Sequence, residues 1–338
     1  MWGCHRGAAW HRNHMNDQIT ALTVEEAADV VARYQGEVLS LDGLRAVTPA
    51  VAEVLATHAG ILGLQALTSL SLESALCLAK QPGWLFLGGL SAISCDVADA
   101  LASHSGTLGL DGLPTVTREV AASLGLHEGT LHINGVKSLS DEAAQELAKH
   151  TGRLSLNGLT SLTPSVARAL SRSRYDLSLR GVTTISPETA EGLGQAAVSC
   201  DLNGLKTLSL EAATALAKCA HVSLGGLTEL SDELADNLAR QDGSLALLGV
   251  TAVSDKTAKA LARHRGSLYL GVATLSDTAA AALASRVGDL HLPKLTAISD
   301  KAAKSFVRHQ GWLQLSGLKA ISEQAMTHLR AKKNIALP

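Results

Sequence analysis

The residues best suited to chemistry in this 338-residue chain are histidines that recur with one spacing. Six of them are separated by 23 residues or by near multiples of 23: His58, His104, His127, His150, His264 and His309. Imidazole is a common metal ligand, but no Cys, Asp or Glu recurs at the same position to complete a ligand set. A His in the last turn of a helix can instead donate to free carbonyl oxygens. We interpret the six as helix-capping residues that neighbouring helices hold well apart, and we predict no metal and no cofactor.

The N-terminus holds a second group of possible ligands, Cys4, His5, His11 and His14, in a segment unlike the rest of the chain. Metal binding, an extension without regular structure and a natural start at Met15 are all open for this segment. The five cysteines are odd in number and contain no CxxC pair, which argues against a disulfide framework and a zinc knuckle. Because no apolar stretch is long enough for a signal sequence or a membrane span, we expect a cytoplasmic protein.

Signatures of catalysis and of nucleotide binding are missing from the sequence. It contains no GxGxxG after a strand, no GxxxxGK[ST], no HExxH and no GxSxG. The residues that recur are those expected to build a repeated structure. We therefore predict that the protein is not an enzyme.

The elements that must carry these residues come from a repeat that fills most of the chain. The first apolar residue of an LxL pattern recurs after 23 residues in ten of twelve cases and after 22 in the other two. These thirteen positions are the repeat marks: Leu39, Leu62, Leu85, Leu108, Leu131, Leu154, Leu177, Cys200, Val222, Leu245, Leu268, Leu290 and Leu313. A helical pattern at 23–35 precedes the first mark and matches the back half of a repeat.

Each position of the unit LxLxGLxxLSxxxAxxLAxHxGx has a structural reason. LxL places two side chains in a core and one on the opposite face of a short strand. The Gly after LxL suits a sharp turn or a positive φ, and the Gly before the next mark suits the end of a helix. Ser or Thr about nine residues after the mark, followed by acidic residues, is an N-cap signature. The Ala and Leu that follow form the apolar stripe of a short helix.

A single unit of this kind cannot bury its apolar faces, so neighbouring units must stack, strand beside parallel strand and helix beside helix. We predict an α/β solenoid of about 13 repeats, with the parallel sheet on the concave face of an arc or horseshoe and short helices on its convex face. The predicted organisation is a non-repeat extension without ordered structure over 1–22, a single solenoid over 23–332 and a tail over 333–338.

The pattern resembles the leucine-rich-repeat superfamily, in the LxL strand, the near-constant period and stretches such as LSLNGLTSLT at 154–163. It is most similar to atypical bacterial repeats, because Gly follows LxL where the family has an Asn ladder and the return limb is an Ala-rich helix. The resemblance implies a protein-recognition scaffold, and it brings no catalytic residue.

Residues beside and between the two core positions of each strand are free of the core and line the concave face, so binding residues should lie there. Two aromatic groups occur among them: Trp84 with Phe86, and Tyr269 with His291 and Trp312. Because Trp, Tyr and Arg are enriched at binding hot spots, these are candidate partner-binding residues. The alternative is that Trp84 and Trp312 shield the end repeats or pack on neighbouring strands.

Polar residues lie between the two aromatic groups on the predicted face. The candidates there are His132, Arg153, Asp176, Arg180, Asp201 and His221. One interpretation is that they pair with a charged partner, and the other is an internal salt-bridge ladder across strands. Residues 173–222 are also the least regular part of the array, with Gly192 and Gly194 interrupting a helical pattern. A functional insertion point and ordinary drift explain this equally well.

The overall charge limits the class of partner. The 29 Lys and Arg and 31 Asp and Glu leave a net charge of −2, without the basic excess of proteins that bind nucleic acid or anionic membranes. We therefore predict a scaffold that binds a protein partner through the concave face, with a homo-oligomer also possible. Two alternatives stay open: a structural array that self-associates through its aromatic residues, and the sensor part of a larger bacterial system.

Overall fold

A computed structural model describes residues 18–34, 38–195 and 199–338, in which fourteen helices alternate with fourteen short strands. Cys4, His5, His11 and His14 lie outside the described residues. The helices are α1 (Val24–Arg33), α2 (Pro49–Leu55), α3 (Leu72–Leu78), α4 (Cys95–Ala102), α5 (Arg118–Leu124), α6 (Asp141–Leu147), α7 (Pro164–Leu170), α8 (Pro187–Leu193), α9 (Leu210–Leu216), α10 (Asp232–Leu238), α11 (Asp255–Leu261), α12 (Asp277–Ala284), α13 (Asp300–Phe306) and α14 (Glu323–Arg330). The strands are β1 (Val38–Ser40), β2 (Ile61–Gly63), β3 (Trp84–Phe86), β4 (Thr107–Gly109), β5 (Leu131–His132), β6 (Leu154–Ser155), β7 (Leu177–Ser178), β8 (Ser199–Asp201), β9 (His221–Ser223), β10 (Ser244–Leu247), β11 (Leu268–Leu270), β12 (Leu290–His291), β13 (Leu313–Gln314) and β14 (Ile335–Ala336).

The strands that the structure describes form one parallel sheet, in which their order is that of the chain. Each repeat mark lies beside the next one in register, as Leu39 beside Leu62 and Leu62 beside Leu85. The sheet lines the concave side of an open solenoid and the helices lie on the convex side. The fold predicted from the repeat is therefore confirmed.

The two ends of the array differ from their predicted organisation. Ile335–Ala336, inside the predicted tail, pairs with β13 and adds the last strand of the sheet. At the other end Ile19 and Leu22, within the predicted extension, are partly buried against the core. Both segments continue the pattern of the repeat beyond the first and last LxL, which a search for LxL alone does not detect.

Every described helix begins after a Ser or Thr N-cap whose side-chain oxygen accepts a hydrogen bond from the backbone N–H three residues later. In α1, Thr23 accepts from Glu26, whose carboxylate in turn accepts from the N–H of Thr23. Such caps satisfy N–H groups that the helix leaves without intrahelical partners, and acidic residues in the first turn favour the helix dipole. This confirms the N-cap pattern, and it explains why helices of only seven residues are uniform along the array.

The core is one continuous apolar layer between sheet and helices. Both outer residues of LxL are fully buried, for example Leu154 and Leu156, and so are the Ala and Leu of the helix stripe, such as Ala144 and Leu147. The small Ala lets each helix lie close to the strands, and stacking of repeats extends the layer from end to end.

The glycines serve close packing between repeats, which differs from the prediction. Among the described residues no glycine has a positive φ, and helix α4 ends four residues before Gly106. A methyl group on Gly106 would lie 1.8 Å from the carbonyl oxygen of Gly83, and one on Gly112 would lie 2.2 Å from that of Gly88. The backbones of neighbouring repeats meet at these positions, so no side chain fits between them.

The irregular segment around residues 173–222 preserves the array. Strands β7, β8 and β9 pair in register, and α8 runs through Gly192 without interruption. A methyl group on Gly192 would lie 3.0 Å from the Cβ atom of Ala167, so this glycine allows α8 to approach α7 closely. The expected interruption is thus a local tightening of helix packing. Among the described residues, no helix has the length and apolar character to cross a membrane.

Candidate functional site

The first aromatic group forms a connected patch on strands β3 to β5. The ring of Trp84 meets that of Phe86 edge to face, with centroids 6.4 Å apart, and Phe86 continues to His132 at 6.3 Å. Phe86 reaches across β4 because that strand has Gly109 at this position, where a Cβ atom would lie 2.2 Å from the Phe86 ring. Trp84 is 45% exposed. The patch therefore presents an accessible aromatic surface supported from beneath by a glycine.

The second aromatic group lies near the opposite end of the sheet. Tyr269 and His291 stack in parallel with ring centroids 4.1 Å apart, and Nδ1 of His291 lies 3.0 Å from Oε1 of Gln314 on the next strand. The N–H of Trp312 donates to Asp289, which fixes the backbone beside them. Burial, with a smaller contribution from Asp289, raises the pKa of Tyr269. Trp312 is 45% exposed, as Trp84 is.

The polar residues between the two groups divide into engaged and exposed side chains. The guanidinium of Arg180 donates to the buried carboxylate of Asp201 at 2.6 Å, and Nδ1 of His221 accepts from the N–H of Ser244. Arg153 and Asp176 occupy neighbouring strands and are exposed, and within the described part of the chain neither is in an ion pair. The salt-bridge ladder thus consists of one pair, and only Arg153 and Asp176 keep their charges available to a partner.

The recurring histidines occupy buried positions in the loops that follow the helices. His127 stacks on His104 with centroids 6.1 Å apart and on His150 at 5.7 Å. The prediction that helices hold these residues well apart is wrong, because they follow the helix ends, where the backbones of successive repeats are in contact. Nδ1 of His127 lies 3.4 Å from the carbonyl oxygen of Ala102, and Nδ1 of His309 lies 3.1 Å from that of Ala284.

These contacts cap the helix of the preceding repeat rather than the residue's own helix. Burial lowers the pKa of each histidine in the stack, and it lowers the pKa of His150 to about 4. The stack is therefore neutral at neutral pH. Among the described residues no three His, Cys, Asp or Glu side chains are placed to hold a metal ion.

A ladder of Asn and Asp side chains, three residues after the repeat mark, joins the turns that follow the strands. Oδ1 of Asn134 accepts from the N–H of Asn157 at 2.9 Å, and Oδ1 of Asn157 accepts from the N–H of Arg180 at 2.9 Å. Asp111 and Asp42 do the same in earlier repeats. The expectation that Gly replaces this ladder is wrong, since the Gly is the next residue. The chain has a leucine-rich-repeat fold.

Solved leucine-rich-repeat structures are similar to this chain over most of its length. An internalin from Listeria monocytogenes is 13% identical, with a TM-score of 0.43, over 94% of this chain and 88% of its own. A Leptospira interrogans leucine-rich-repeat protein is 15% identical, with a TM-score of 0.36, over 95% and 99%. Drosophila Toll, in its complex with Spätzle, is 15% identical with a TM-score of 0.46, over 88% of this chain and 45% of its own. No protein-family model matches the chain, and no curated protein matches it.

Within the leucine-rich-repeat fold, the structure explains residues that sequence reasoning took for binding candidates or missed. Asp201 is buried because Arg180 occupies the ladder position in its repeat, so the Asp201 carboxylate accepts from the N–H of Asn203 in place of an Asn. Aligning the third residue after each mark would have shown the ladder, which Asp42, Asp111, Asn134, Asn157 and Asn203 occupy. The remaining candidates lie on the sheet face at the predicted positions.

Proposed function

We propose that this protein binds a protein partner across the concave sheet face and that the two aromatic groups are its main contacts. The observation that carries the proposal is the pair of half-exposed tryptophans, Trp84 and Trp312, in a chain whose other apolar residues are largely buried. Exposing a large aromatic ring to water is unfavourable, and Trp is the residue type most enriched at binding hot spots.

The spacing of the two groups supports a macromolecular partner. Trp84 lies on β3 and Trp312 on β13, ten strands apart in the sheet. At about 4.8 Å per strand the path along the sheet is about 48 Å, far longer than a small ligand. The rings are held on a hydrogen-bonded sheet, so binding them costs little conformational entropy.

The surface between the aromatic groups supports a contact with a polar centre. Buried hydroxyls of Ser155 and Ser178 donate to the Asn ladder, which leaves Arg153 and Asp176 as the charged side chains directed to solvent. A partner with apolar residues at both ends and charged residues between them would match this order. The proposal is for a binding role rather than a catalytic one.

The test compares the wild type with Trp84→Ala and Trp312→Ala in capture of partners from a lysate of the source organism. Tyr175→Ala is the matched control, because Tyr175 is also 45% exposed but lies in the loop before β7. We expect both Trp variants to keep their melting temperature and to weaken binding of the captured protein by at least about 30-fold.

The control variant should bind as the wild type does. Undiminished binding by both Trp variants would contradict the proposal. A large fall in melting temperature would instead show that the tryptophans stabilise the end repeats, which is the alternative interpretation of their positions.

A further inference from the structure

The net charge of −2 conceals a change of sign along the chain. Residues 18–117 contain ten Asp and Glu and three Lys and Arg, a net charge of −7. Residues 256–338 contain four Asp and Glu and thirteen Lys and Arg, a net charge of +9. The two ends of one solenoid therefore carry large charges of opposite sign.

The change of sign occurs at equivalent positions on the convex face. The second and fifth residues after each N-cap point to solvent on the outer side of the helix. From α1 to α10 these positions hold twelve acidic residues and one basic residue: Glu25, Glu53, Glu73, Asp96, Asp99, Glu119, Glu142, Glu188, Glu191, Glu211, Glu233 and Asp236, with Arg168. From α11 to α14 they hold four lysines and no acidic residue: Lys256, Lys259, Lys301 and Lys304.

Local ion pairs do not neutralise this basic region. Lys256 lies 3.3 Å from Asp232 and Lys301 lies 4.0 Å from Asp277, each on the preceding helix. Lys259 and Lys304 are exposed and, in the part of the chain that the structure describes, form no ion pair with their neighbours. The same holds for Glu53 and Asp99 at the corresponding positions of α2 and α4.

Helix dipoles alone do not explain the pattern. They favour acidic residues in the first turn of every helix and basic residues in every last turn, and so predict the same charges in all repeats. A position in the middle of the helix that is acidic in one part of the array and basic in another requires a different reason. Solubility would be served by one sign throughout, because copies of like charge repel one another.

We propose that the basic helices α11 and α13 of one copy bind the acidic helices α1 to α4 of a second copy. Opposite charges on the two contacting surfaces steer association and set its orientation. The contact joins different surfaces of the two copies, so it is heterologous and extends to chains of more than two copies unless it closes into a ring. This contact is on the convex face and leaves the concave face free, so it is independent of the proposed partner binding.

The test is sedimentation velocity of the full chain over a range of concentrations at about 50 mM and about 500 mM NaCl. We expect the wild type to associate at low salt and to dissociate at high salt, because salt screens exposed charges over about 4 Å at the higher concentration and about 14 Å at the lower. Two double variants reverse the charge at matched helix positions: Lys259→Glu with Lys304→Glu, and Glu53→Lys with Asp99→Lys.

Each double variant alone should sediment as a monomer at low salt, and an equimolar mixture of the two should associate again, because each supplies the surface that the other has reversed. Circular dichroism establishes that both variants are folded. A wild type that is monomeric at low salt, or double variants that associate as the wild type does, would overturn the proposal. A monomeric wild type that binds a single-stranded oligonucleotide or anionic phosphatidylserine vesicles through Lys259 and Lys304 would also overturn it, and would assign the basic surface to that ligand.

Discussion

At the scale of single residues, the position nineteen residues after the repeat mark shows how one buried site accepts different side chains. Gln81, at this position, donates from Nε2 to the carbonyl oxygens of His58 and Gly60. Arg286, one residue earlier in a shorter repeat, donates to those of His264 and Gly288. The histidines fill the same site with less complete hydrogen bonding, since several of their ring nitrogens have no partner. A buried cation there is costly unless it is fully hydrogen-bonded.

The histidine stack is therefore expected to make stability depend on pH. The pKa values of His104, His127 and His150 are lowered in the folded state from an ordinary value of 6.5. Above pH 6.5 both states are neutral at these sites. Below it the unfolded state binds protons that the folded state does not, so the free energy of unfolding falls. For His150, whose folded pKa is about 4, the loss reaches about 3 kcal/mol by pH 4.

The measurement is urea unfolding at pH 7.5 and pH 5.0 for the wild type and for the triple variant His104→Gln, His127→Gln and His150→Gln. Gln is the natural residue at this position in two other repeats, at Gln81 and Gln241, so the variant should fold. We expect the triple variant to lose less stability at pH 5.0 than the wild type. Equal losses would show that the stack does not titrate as its burial predicts.

At the scale of elements, the strands are short and the turns after them are fixed by the Asn ladder. Asn157 accepts from the N–H of Arg180 and from the hydroxyl of Ser178, and it donates to Ser155. One side chain thus joins three consecutive repeats at the edge of the sheet that presents the candidate site.

Replacing this rung should separate its acceptor role from its size. We expect Asn157→Ala to destabilise the protein by about 1–3 kcal/mol, because it leaves a buried N–H and a hydroxyl without an acceptor. Asn157→Asp keeps an acceptor oxygen, and Asp is the natural residue at this position in the repeats of Asp42 and Asp111. Chemical denaturation measures both variants. An Asn157→Asp variant as unstable as Asn157→Ala would mean that the ladder oxygen is not what stabilises the turn.

At the scale of the whole molecule, each repeat contacts only its neighbours, so the two end repeats have one neighbour where the others have two. Stability in such an array is approximately a sum of repeat and interface contributions. The second aromatic group lies near one end, on β11 to β13, while the first lies on β3 to β5. The two halves of the proposed binding face therefore differ in how firmly the array holds them.

Hydrogen exchange followed by mass spectrometry should show this difference. We expect backbone amides of β13 and α14 to exchange faster than those of β5 and α6, because fewer interfaces must open to expose them. The central repeats provide the internal control within the same protein. Uniform protection from end to end would mean that the array opens as a single cooperative unit.

The sequence by itself determined the repeat, the parallel order of the strands, the capped helices and the buried Leu and Ala. These features follow from local patterns, since LxL, the N-cap residue and the helix stripe each act within about ten residues. It also placed the candidate residues on the sheet face, because alternation along a strand decides which side chains leave the core.

Only the tertiary structure decided what those residues contact. The stacking of His127 on two other histidines, the pairing of Arg180 with Asp201 and the ring of Phe86 above Gly109 all join different repeats, 21 or 23 residues apart in the chain. Their formation depends on how neighbouring backbones approach each other sideways, and the period of a repeat does not specify that approach. The same physical reason explains why the glycines, predicted for turns, serve contacts between repeats.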